Sequence, residues 1–423
     1  MGKLTVFGPT KLAGEVIISG SKNAALPILV STVLFKSSVT LTNVPELTDI
    51  ITAIRLLSSL GMRAEFSNNE VRIQGTEDLR HIAPYELITK MRASFFVAGA
   101  IVARVGMAKI PYPGGCLIGS RPVNIHLKGL EAFGMKTSVE HGFVILKTEG
   151  PLTPANFRLD FPSVGATENL MMTATLVEGK TILKNVAREP EIIALADFLN
   201  KAGAKIKGAG SSTIQIEGVK ELTSVKHRII PDRIETATFA MAATATRSNL
   251  TLKNVDKEHI PDLINILERT NIKHEFPQND ILKIYAESSE PQPLSVKTGP
   301  YPAFSTDMQP LLMSFLATVP GKSIITETVF ENRFMHVMEL NRMDANISIV
   351  GNKAIITGDN KPLSGAEVKS KDLRGGAALV IAALAAEGKS VVFGTQHINR
   401  GYEKIMDKFK KIGAKIEENE ESK

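Results

Sequence analysis

The sequence predicts an α/β protein assembled from six copies of one unit and divided into two domains. A Gly or Ser followed by a short apolar or β-branched strand recurs from positions 38, 106, 179, 248, 321 and 388, in steps of 67 to 73 residues. Helix ends marked by Gly, Asn or Asp keep the same interval, at positions 61, 134, 203, 271, 344 and 413. The length of 423 residues also exceeds what one hydrophobic core ordinarily serves.

Each unit is predicted to run strand, buried helix, strand, outer helix, strand, strand. The buried helices are apolar almost all round, which is typical of helices enclosed within a domain. They are expected at 24–34, 93–103, 166–177, 234–246, 307–318 and 373–386. Residues 22–230 would form one continuous domain, and residues 1–21 with 231–423 the second, so that the chain crosses twice between them.

The amino-acid composition limits the classes of protein to which this chain can belong. Hydrophobic residues make up 43% and charged residues 22%, as in an ordinary globular protein. The net charge of +6 comes from dispersed basic residues and aromatic residues are only 5%, so no nucleic-acid partner is expected. Apolar runs are too short to span a bilayer and no signal region precedes the first strand, so we expect a cytoplasmic protein without membrane insertion.

Cysteine and histidine usage limits disulfide and metal chemistry. Cys116 is the single cysteine, so an internal disulfide is impossible. The eight histidines do not pair with cysteine or acids at metal-ligand spacing, and no phosphate-binding P-loop or dinucleotide fingerprint is present. Neither a metal nor a cofactor is expected.

Cations stand at the predicted starts of four buried helices: Lys22, Arg92, Arg233 and Arg374. A cation there opposes the helix dipole, whereas a bound phosphate or carboxylate would make the arrangement favourable. For Arg233 and Arg374, a salt bridge to the neighbouring acid is an equally good explanation. Lys22 has no acid within four residues, which favours an anion site.

Acids at the same helix starts have two interpretations. Asp232, Asp307 and Asp372 stand where a side-chain oxygen commonly caps a helix. They stand equally well where a reaction would need a carboxylate to move a proton. The sequence does not decide between the two.

A loop rich in Gly and Pro, residues 111–122, carries Cys116 five residues before Arg121. A free cysteine is most often a small buried hydrophobe. A nearby cation lowers the pKa of a thiol and makes it reactive, so a reactive Cys116 is the favoured interpretation.

Two further loops carry cations, at 331–336 and at 397–402, which includes Arg400. The cations of these two loops could equally well be solvent-exposed surface residues or ligand-binding residues.

Taken together, these segments resemble the UDP-N-acetylglucosamine 1-carboxyvinyltransferases. The similar segments, in chain order, are 19–27, 113–116 with 121–123, 163–167, 188–191, 231–236, 306–309, 331–336 and 400–403. The resemblance implies the enolpyruvyl transferase fold: two inside-out α/β barrels, each of three repeats, with the active site in the cleft between them. It implies transfer of the enolpyruvyl group of phosphoenolpyruvate to the 3′-hydroxyl of UDP-N-acetylglucosamine with release of phosphate, the first committed step of peptidoglycan synthesis.

The same resemblance implies catalytic roles by position. Cys116 would be the general acid toward the enolpyruvyl methylene and the site of covalent inhibition by fosfomycin-type epoxides. Asp307 would accept the proton of the sugar hydroxyl, and Asp372 would take part in proton transfer. Lys22 and Arg400 complete the catalytic set, because they would stabilise the developing phosphate charge.

Two substrate sites are also implied. Phosphoenolpyruvate would be held by Lys22, Asn23, Arg121 and Arg400. UDP-N-acetylglucosamine would contact Asn23, Arg92, Arg121, Pro122, Val123, Asn124, Ile125, Phe161, Ser163, Val164, Gly165, Asp307 and Val329. Phe161 stands where some members of the family carry Lys, so an ion pair with the diphosphate cannot form from that position.

Two other functions remain as alternatives. A sister enolpyruvyl transferase that acts on shikimate 3-phosphate shares the fold and the donor, but the Cys116 loop and the Lys22–Asn23 pair favour the nucleotide-sugar enzyme. A non-catalytic nucleotide-sugar sensor is the second alternative. The intact set of catalytic residues argues against it.

Overall fold

The structure, a computed structural model, describes residues 2–90, 95–112, 123–359 and 361–419. Within this range the chain divides into two compact units. Of the described residues, those between 20 and 230 form the unit called continuous here, and residues 2–19 with those between 231 and 419 form the discontinuous unit. Among the described residues the chain passes from one unit to the other after Ser19 and again after Ile230.

The helices, in chain order, are α1 (Lys22–Ser31), α2 (Thr48–Ser59), α3 (Tyr85–Lys90), α4 (Val97–Val105), α5 (Asn124–Glu131), α6 (Val164–Thr175), α7 (Pro190–Lys201), α8 (Arg233–Ala245), α9 (Pro261–Arg269), α10 (Gln309–Leu316), α11 (Val337–Asn341), α12 (Leu373–Ala385), α13 (Thr395–Ile398) and α14 (Ile405–Lys411). None of the described helices is long and apolar enough to cross a membrane.

The strands are β1 (Lys3–Gly8), β2 (Ala13–Ile17), β3 (Ser38–Thr42), β4 (Arg63–Ser67), β5 (Glu70–Gln74), β6 (Met107–Pro111), β7 (Lys136–Glu140), β8 (Phe143–Lys147), β9 (Asn156–Arg158), β10 (Lys180–Lys184), β11 (Lys205–Lys207), β12 (Thr213–Glu217), β13 (Val225–Arg228), β14 (Asn249–Lys253), β15 (Lys273–Gln278), β16 (Ile281–Tyr285), β17 (Ser295–Lys297), β18 (Gly321–Thr326), β19 (Ile347–Val350), β20 (Lys353–Gly358), β21 (Glu367–Lys369), β22 (Gly388–Phe393) and β23 (Lys415–Asn419).

The predicted repeat is confirmed, most completely from β9 to β12, where the order is β9, α6, β10, α7, β11, β12. Each predicted buried helix has a counterpart in α1, α4, α6, α8, α10 or α12. In the discontinuous unit α8, α10 and α12 pack against one another, and every residue of α8 is buried. Helix α10 begins at Gln309, two residues later than expected, with Pro310 in its first turn, where the missing N–H costs nothing.

The described strands form six sheets, one for each repeat. Their orders are β21-β22-β1-β23, β15-β16-β14-β2 and β17-β18-β20-β19 in the discontinuous unit, and β11-β12-β10-β9, β13-β3-β5-β4 and β6-β8-β7 in the continuous unit. Burial alternates along most strands, as in sheets with one face toward a core. Helices inside and sheets outside match the inside-out arrangement, but among the described residues the sheets stay separate and no closed barrel forms.

Two strands are exchanged where the chain changes unit. β2 leads into α1 but pairs in parallel with β14, while β13 leads into α8 but pairs in parallel with β3. β1 also joins the discontinuous unit, between β22 and β23. In each unit, therefore, one sheet contains a strand that is followed in sequence by a helix of the other unit.

The six helix ends predicted from Gly, Asn and Asp are confirmed by their backbone angles. All six residues have positive φ between 58° and 104°: Gly61, Gly134, Gly203, Asn271, Asp344 and Gly413. Glycine adopts this conformation without a Cβ penalty, and Asn and Asp are the side chains that tolerate it best. The repeat is thus visible in local geometry as well as in sequence.

Candidate functional site

Lys22 is the first residue of α1 and is buried. Ser21 caps the helix, its Oγ accepting from the Ala24 N–H at 3.3 Å. The Lys22 Nζ lies 3.3 Å from Oδ2 of Asp49, in the first turn of α2. An acid partner for Lys22 therefore exists, 27 residues away in sequence, and this buried pairing keeps a positive charge at the helix start. Asn23 follows on α1 and is partly buried.

The start of α6 is uncharged. Ser163 caps it, accepting a hydrogen bond from the Ala166 N–H at 3.4 Å, and Val164 and Gly165 form the first turn. A Cβ on Gly165 would lie 2.5 Å from Cε1 of Phe96, so no other residue fits without displacing that ring. Backbone N–H groups in the first turn of a helix have no partner within the helix and favour an anion.

The other predicted nucleotide-sugar residues of the continuous unit surround the starts of α5 and α6. Val123 is buried at the N-cap of α5, Asn124 is exposed and Ile125 is partly buried. Phe161 is 43% exposed, and its carbonyl accepts from the Ser163 N–H at 2.7 Å. Four further predicted site residues, Arg92, Cys116, Arg121 and Pro122, lie outside the described residues, so their roles stay predictions.

Capping is confirmed for two of the three acids at helix starts. Oδ1 of Asp232 accepts from the Ile234 and Glu235 N–H groups at 2.8 and 3.0 Å. Asp372 caps α12 in the same way, with both distances 3.0 Å. Asp307 does not cap α10, because the residue at the N-cap of that helix is Met308. The carboxylate of Asp307 has a different environment.

Asp307 and Asp372 share one buried guanidinium. Arg333 places Nη2 3.1 Å from Oδ1 of Asp307 and Nη1 3.3 Å from Oδ1 of Asp372, with its side chain only 2% exposed. Its Nε donates to the Thr306 carbonyl at 3.0 Å. Arg374 adds a second cation, with Nε 3.6 Å from Oδ2 of Asp307. Two guanidinium groups thus stabilise the ionised form of Asp307.

Arg374 and Arg233 each lie close to an acid that is distant in sequence. Arg374 reaches Asp307, and Nη1 of Arg233 lies 4.0 Å from Oδ2 of Asp262. Burial alone would lower the pKa of the Arg374 guanidinium, but Tyr402 and the nearby carboxylates outweigh it and raise that pKa. The Arg374 guanidinium also lies 4.9 Å from the centre of the Tyr402 ring. Both cations therefore lie within ion-pair distance of acids distant in sequence, and the salt bridge to the neighbouring acid stays a prediction.

His336 is buried beside this cluster. Burial lowers the pKa of its imidazole to about 4, while Asp372 opposes the shift and Arg333 adds to it. The ring is therefore neutral at physiological pH. It adds no charge to a cluster in which two arginines already face two carboxylates.

Glu327 organises the segments that carry Asp307 and Val329. Its Oε1 accepts from the Val329 N–H at 2.7 Å and from Thr298 Oγ1 at 2.8 Å, and its Oε2 accepts from Thr306 Oγ1 at 2.9 Å. Sequence reasoning missed this residue, and a buried acid directly after β18 is the signal that would have found it. Arg400 is partly buried between α13 and α14; its ligand stays a prediction.

Comparison with known proteins gives a consistent family. Residues 6–409 match the family model described as EPSP synthase (3-phosphoshikimate 1-carboxyvinyltransferase). UDP-N-acetylglucosamine 1-carboxyvinyltransferase 2 of Carboxydothermus hydrogenoformans is 51% identical over 99% of both chains. The UDP-N-acetylglucosamine 1-carboxyvinyltransferase of Thermotoga maritima is 48% identical over 99% of both chains.

Solved structures agree on the fold. The enolpyruvyl transferase NikO of Streptomyces tendae superposes with a TM-score of 0.89 at 22% identity, covering 99% of this chain and 98% of that one. An EPSP synthase of Acinetobacter baumannii gives 0.76 at 17% identity, covering 99% and 100%. The resemblance noted from the sequence is confirmed: the chain belongs to the EPSP synthase family of enolpyruvyl transferases, and within it to the UDP-N-acetylglucosamine 1-carboxyvinyltransferases.

Proposed function

We propose that this chain transfers the enolpyruvyl group of phosphoenolpyruvate to the 3′-hydroxyl of UDP-N-acetylglucosamine and releases phosphate. The observation that carries the proposal is identity of 44–51% over 98–99% of the chain to relatives named for this reaction. The reaction opens peptidoglycan synthesis, so its loss would stop cell-wall growth and disturb cell shape and division. We place it in the cytoplasm, whose reducing conditions keep a reactive thiol free.

The proposed chemistry is addition followed by elimination. The sugar oxygen bonds to C2 of phosphoenolpyruvate as its proton passes to Asp307, while C3 gains a proton from Cys116. The C2–O bond to phosphate then breaks with its electron pair going to the departing phosphate, and C3 returns a proton to the Cys116 thiolate, which restores the double bond. Proton transfer by positioned side chains of this kind contributes about 10²–10⁴-fold to rate.

The arginine cluster supports the role of Asp307. Arg333 and Arg374 lie 3.1 and 3.6 Å from its two carboxylate oxygens and hold the group in one position, which a group that accepts a proton from a bound hydroxyl requires. Asp372 shares Arg333 with Asp307 at 3.3 and 3.1 Å, so a change of charge on one carboxylate alters the field at the other. On this basis Asp372 takes part in the proton transfers.

The continuous unit supplies the anion-binding groups in this proposal. Lys22, Asn23 and Arg121, with Arg400 of the discontinuous unit, bind phosphoenolpyruvate. The starts of α5 and α6 bind the nucleotide sugar, with Arg92 in support and the Phe161 backbone in place of a side-chain cation. Because one reaction needs groups of both units, the proposal includes a shared active site.

Release of phosphate with two different acceptors tests the proposal. We expect turnover when phosphoenolpyruvate is mixed with UDP-N-acetylglucosamine and none when it is mixed with shikimate 3-phosphate. The reverse preference would make the chain a shikimate-type enzyme. Binding of the nucleotide sugar without phosphate release would favour the sensor.

The thiol is tested separately. After incubation with fosfomycin, mass spectrometry of a proteolytic digest is expected to show one adduct, on the peptide that contains Cys116. A Cys116→Ala variant should remain unmodified. An adduct that persists in the variant would contradict the assignment.

A further inference from the structure

The loop that carries Arg400 is short, and its backbone is fixed at both ends. Only residues 399–404 connect α13 to α14, and Arg400 is partly buried among them. The Gly401 N–H donates to the carbonyl of Ile398 at 2.9 Å. Lys404 ends the loop at the N-cap of α14, with a left-handed φ of 47°. The position of Arg400 therefore depends on the few residues that follow it.

One of these residues, Glu403, is hydrogen-bonded to Ser19, which lies 384 positions earlier in the sequence. The Ser19 Oγ is 2.6 Å from Oε2 of Glu403 and 2.7 Å from Nζ of Lys408. Because an ammonium group only donates, the hydroxyl accepts from Lys408 and donates its own hydrogen to the Glu403 carboxylate. Both hydrogen bonds of the hydroxyl thus involve a charged group, which makes them stronger than neutral ones.

A buried glutamate fixes the other end of this chain of hydrogen bonds. Glu235, in the first turn of α8, is 2% exposed. Its Oε1 accepts from Nζ of Lys408 at 2.6 Å, and its Oε2 accepts from the Ser19 N–H at 2.8 Å. The Ser19 carbonyl accepts from the Asp232 N–H at 2.9 Å. Ser19 is therefore held through its N–H, its carbonyl and its hydroxyl, and it is a firm anchor for Glu403.

Tyr402, which lies between Arg400 and Glu403, is also fixed. It is 2% exposed, and its hydroxyl lies 2.9 Å from Oγ1 of Thr238. Thr238 donates its own hydrogen to the carbonyl of Ile234 at 2.8 Å, so Tyr402 is the donor to Thr238. Two of the three residues that follow Arg400 are thus anchored by their side chains to other segments of the discontinuous unit.

We propose that Glu403 is a positioning residue for Arg400, and that its bond to Ser19 holds the loop in the conformation that presents the guanidinium to phosphoenolpyruvate. The inference rests on the proposed function and gives roles to residues outside the predicted catalytic and binding sets. Arginine has many rotamers, and a fixed backbone lowers the conformational entropy that is lost when the side chain binds an anion. Loss of one charge-assisted hydrogen bond corresponds to about a 10-fold change in affinity.

Steady-state kinetics of a Ser19→Ala variant test the proposal. The substitution removes the hydroxyl but keeps the Ser19 N–H that donates to Glu235. We expect kcat/KM for phosphoenolpyruvate to fall about 10-fold, while KM for UDP-N-acetylglucosamine stays within about 2-fold of wild type. Ser138→Ala is the matched control, because the Ser138 hydroxyl donates to Oε1 of Glu140 at 2.9 Å on an exposed strand of the continuous unit. It should leave both constants unchanged.

A double-mutant cycle with Arg400→Ala separates positioning of Arg400 from a general structural role. If Ser19 acts through Arg400, Ser19→Ala causes no further loss of kcat/KM for phosphoenolpyruvate once Arg400 is removed. An equal second loss in the Arg400→Ala background would overturn the inference, as would a matching rise in KM for the nucleotide sugar in the single variant.

Hydrogen exchange of the ligand-free chain tests the anchor without reference to activity. The amides of residues 401–404 should exchange faster in Ser19→Ala than in wild type, because the bond that holds Glu403 is lost. Unchanged exchange would contradict the anchor. If the wild-type chain released no phosphate, the proposed function would fail, whereas the exchange result would still decide whether Ser19 holds the loop.

Discussion

The two units present the starts of their buried helices with different chemistry, although both are built from the same repeat. In the continuous unit, one lysine paired with Asp49 stands at α1 and the start of α6 carries no charge. In the discontinuous unit, Arg333 and Arg374 meet Asp307 and Asp372 in a buried cluster. We infer that the described helix starts of the continuous unit favour anion binding, whereas the discontinuous unit holds the carboxylates that we propose move protons.

The largest expected effect comes from the carboxylate at the centre of that cluster. Asp307→Asn keeps the shape and the acceptor toward Arg333 but removes the group that takes the sugar proton. We expect kcat to fall about 10²–10⁴-fold with the KM of both substrates little changed. Steady-state kinetics would check this. Asp262→Asn, a buried acid beside Arg233, is the matched control and should keep kcat near wild type; a rise in KM alone for Asp307→Asn would contradict the role.

A second prediction concerns stability. Arg333→Met leaves two partly buried carboxylates without their shared guanidinium, and breaking a buried ion pair from one side typically costs about 3–5 kcal/mol. Urea unfolding would measure the loss. Arg342→Met removes an exposed partner of Glu339 at 3.6 Å, where about 0–1 kcal/mol is expected. Equal losses in the two variants would show that the cluster does not stabilise the discontinuous unit.

The smallest expected effect lies in the continuous unit, at the fully buried Glu168. Burial raises the pKa of its carboxyl well above the ordinary value, and Glu191 and Glu189 raise it further. Because the folded-state pKa is the higher one, its contribution to stability is complete below about pH 4 and is lost as the pH rises toward the folded pKa.

The variant Glu168→Gln removes this dependence. It should melt about 2–4 °C above wild type at pH 8, corresponding to about 1 kcal/mol, and at the same temperature as wild type near pH 4. Thermal unfolding at the two pH values would decide. A variant that is less stable than wild type at pH 8 would mean that the ionised carboxylate is compensated in the fold.

Periodic features of the fold could be read from the sequence, and tertiary pairings could not. The six helix ends were predictable because Gly203 or Asn271 reports a local backbone angle that only a few residue types adopt. The Lys22–Asp49 pair was not, because its members lie on different helices 27 residues apart. The pairing of β2 with β14 and of β13 with β3 could not be predicted either, since each strand has the pattern to pair with β3 or with β14.

The candidate site shows the same limit. The resemblance predicted Asp307 and Asp372, but not that Arg333 joins them or that Glu327 ties the Val329 segment to Thr306. These contacts arise between loops that follow different strands, where sequence spacing carries no information on distance. A charged residue at a predicted helix start indicated a possible site. The residue that pairs with it could be identified only from the folded structure.

Identification of the product tests the central claim most directly. The wild-type chain would be incubated with phosphoenolpyruvate and UDP-N-acetylglucosamine labelled with ¹³C at C3 of the sugar, and the product followed by NMR. The account predicts an enolpyruvyl ether whose quaternary carbon is coupled through oxygen to the labelled carbon. Free pyruvate with an unchanged sugar, or an ether at another hydroxyl, would contradict it.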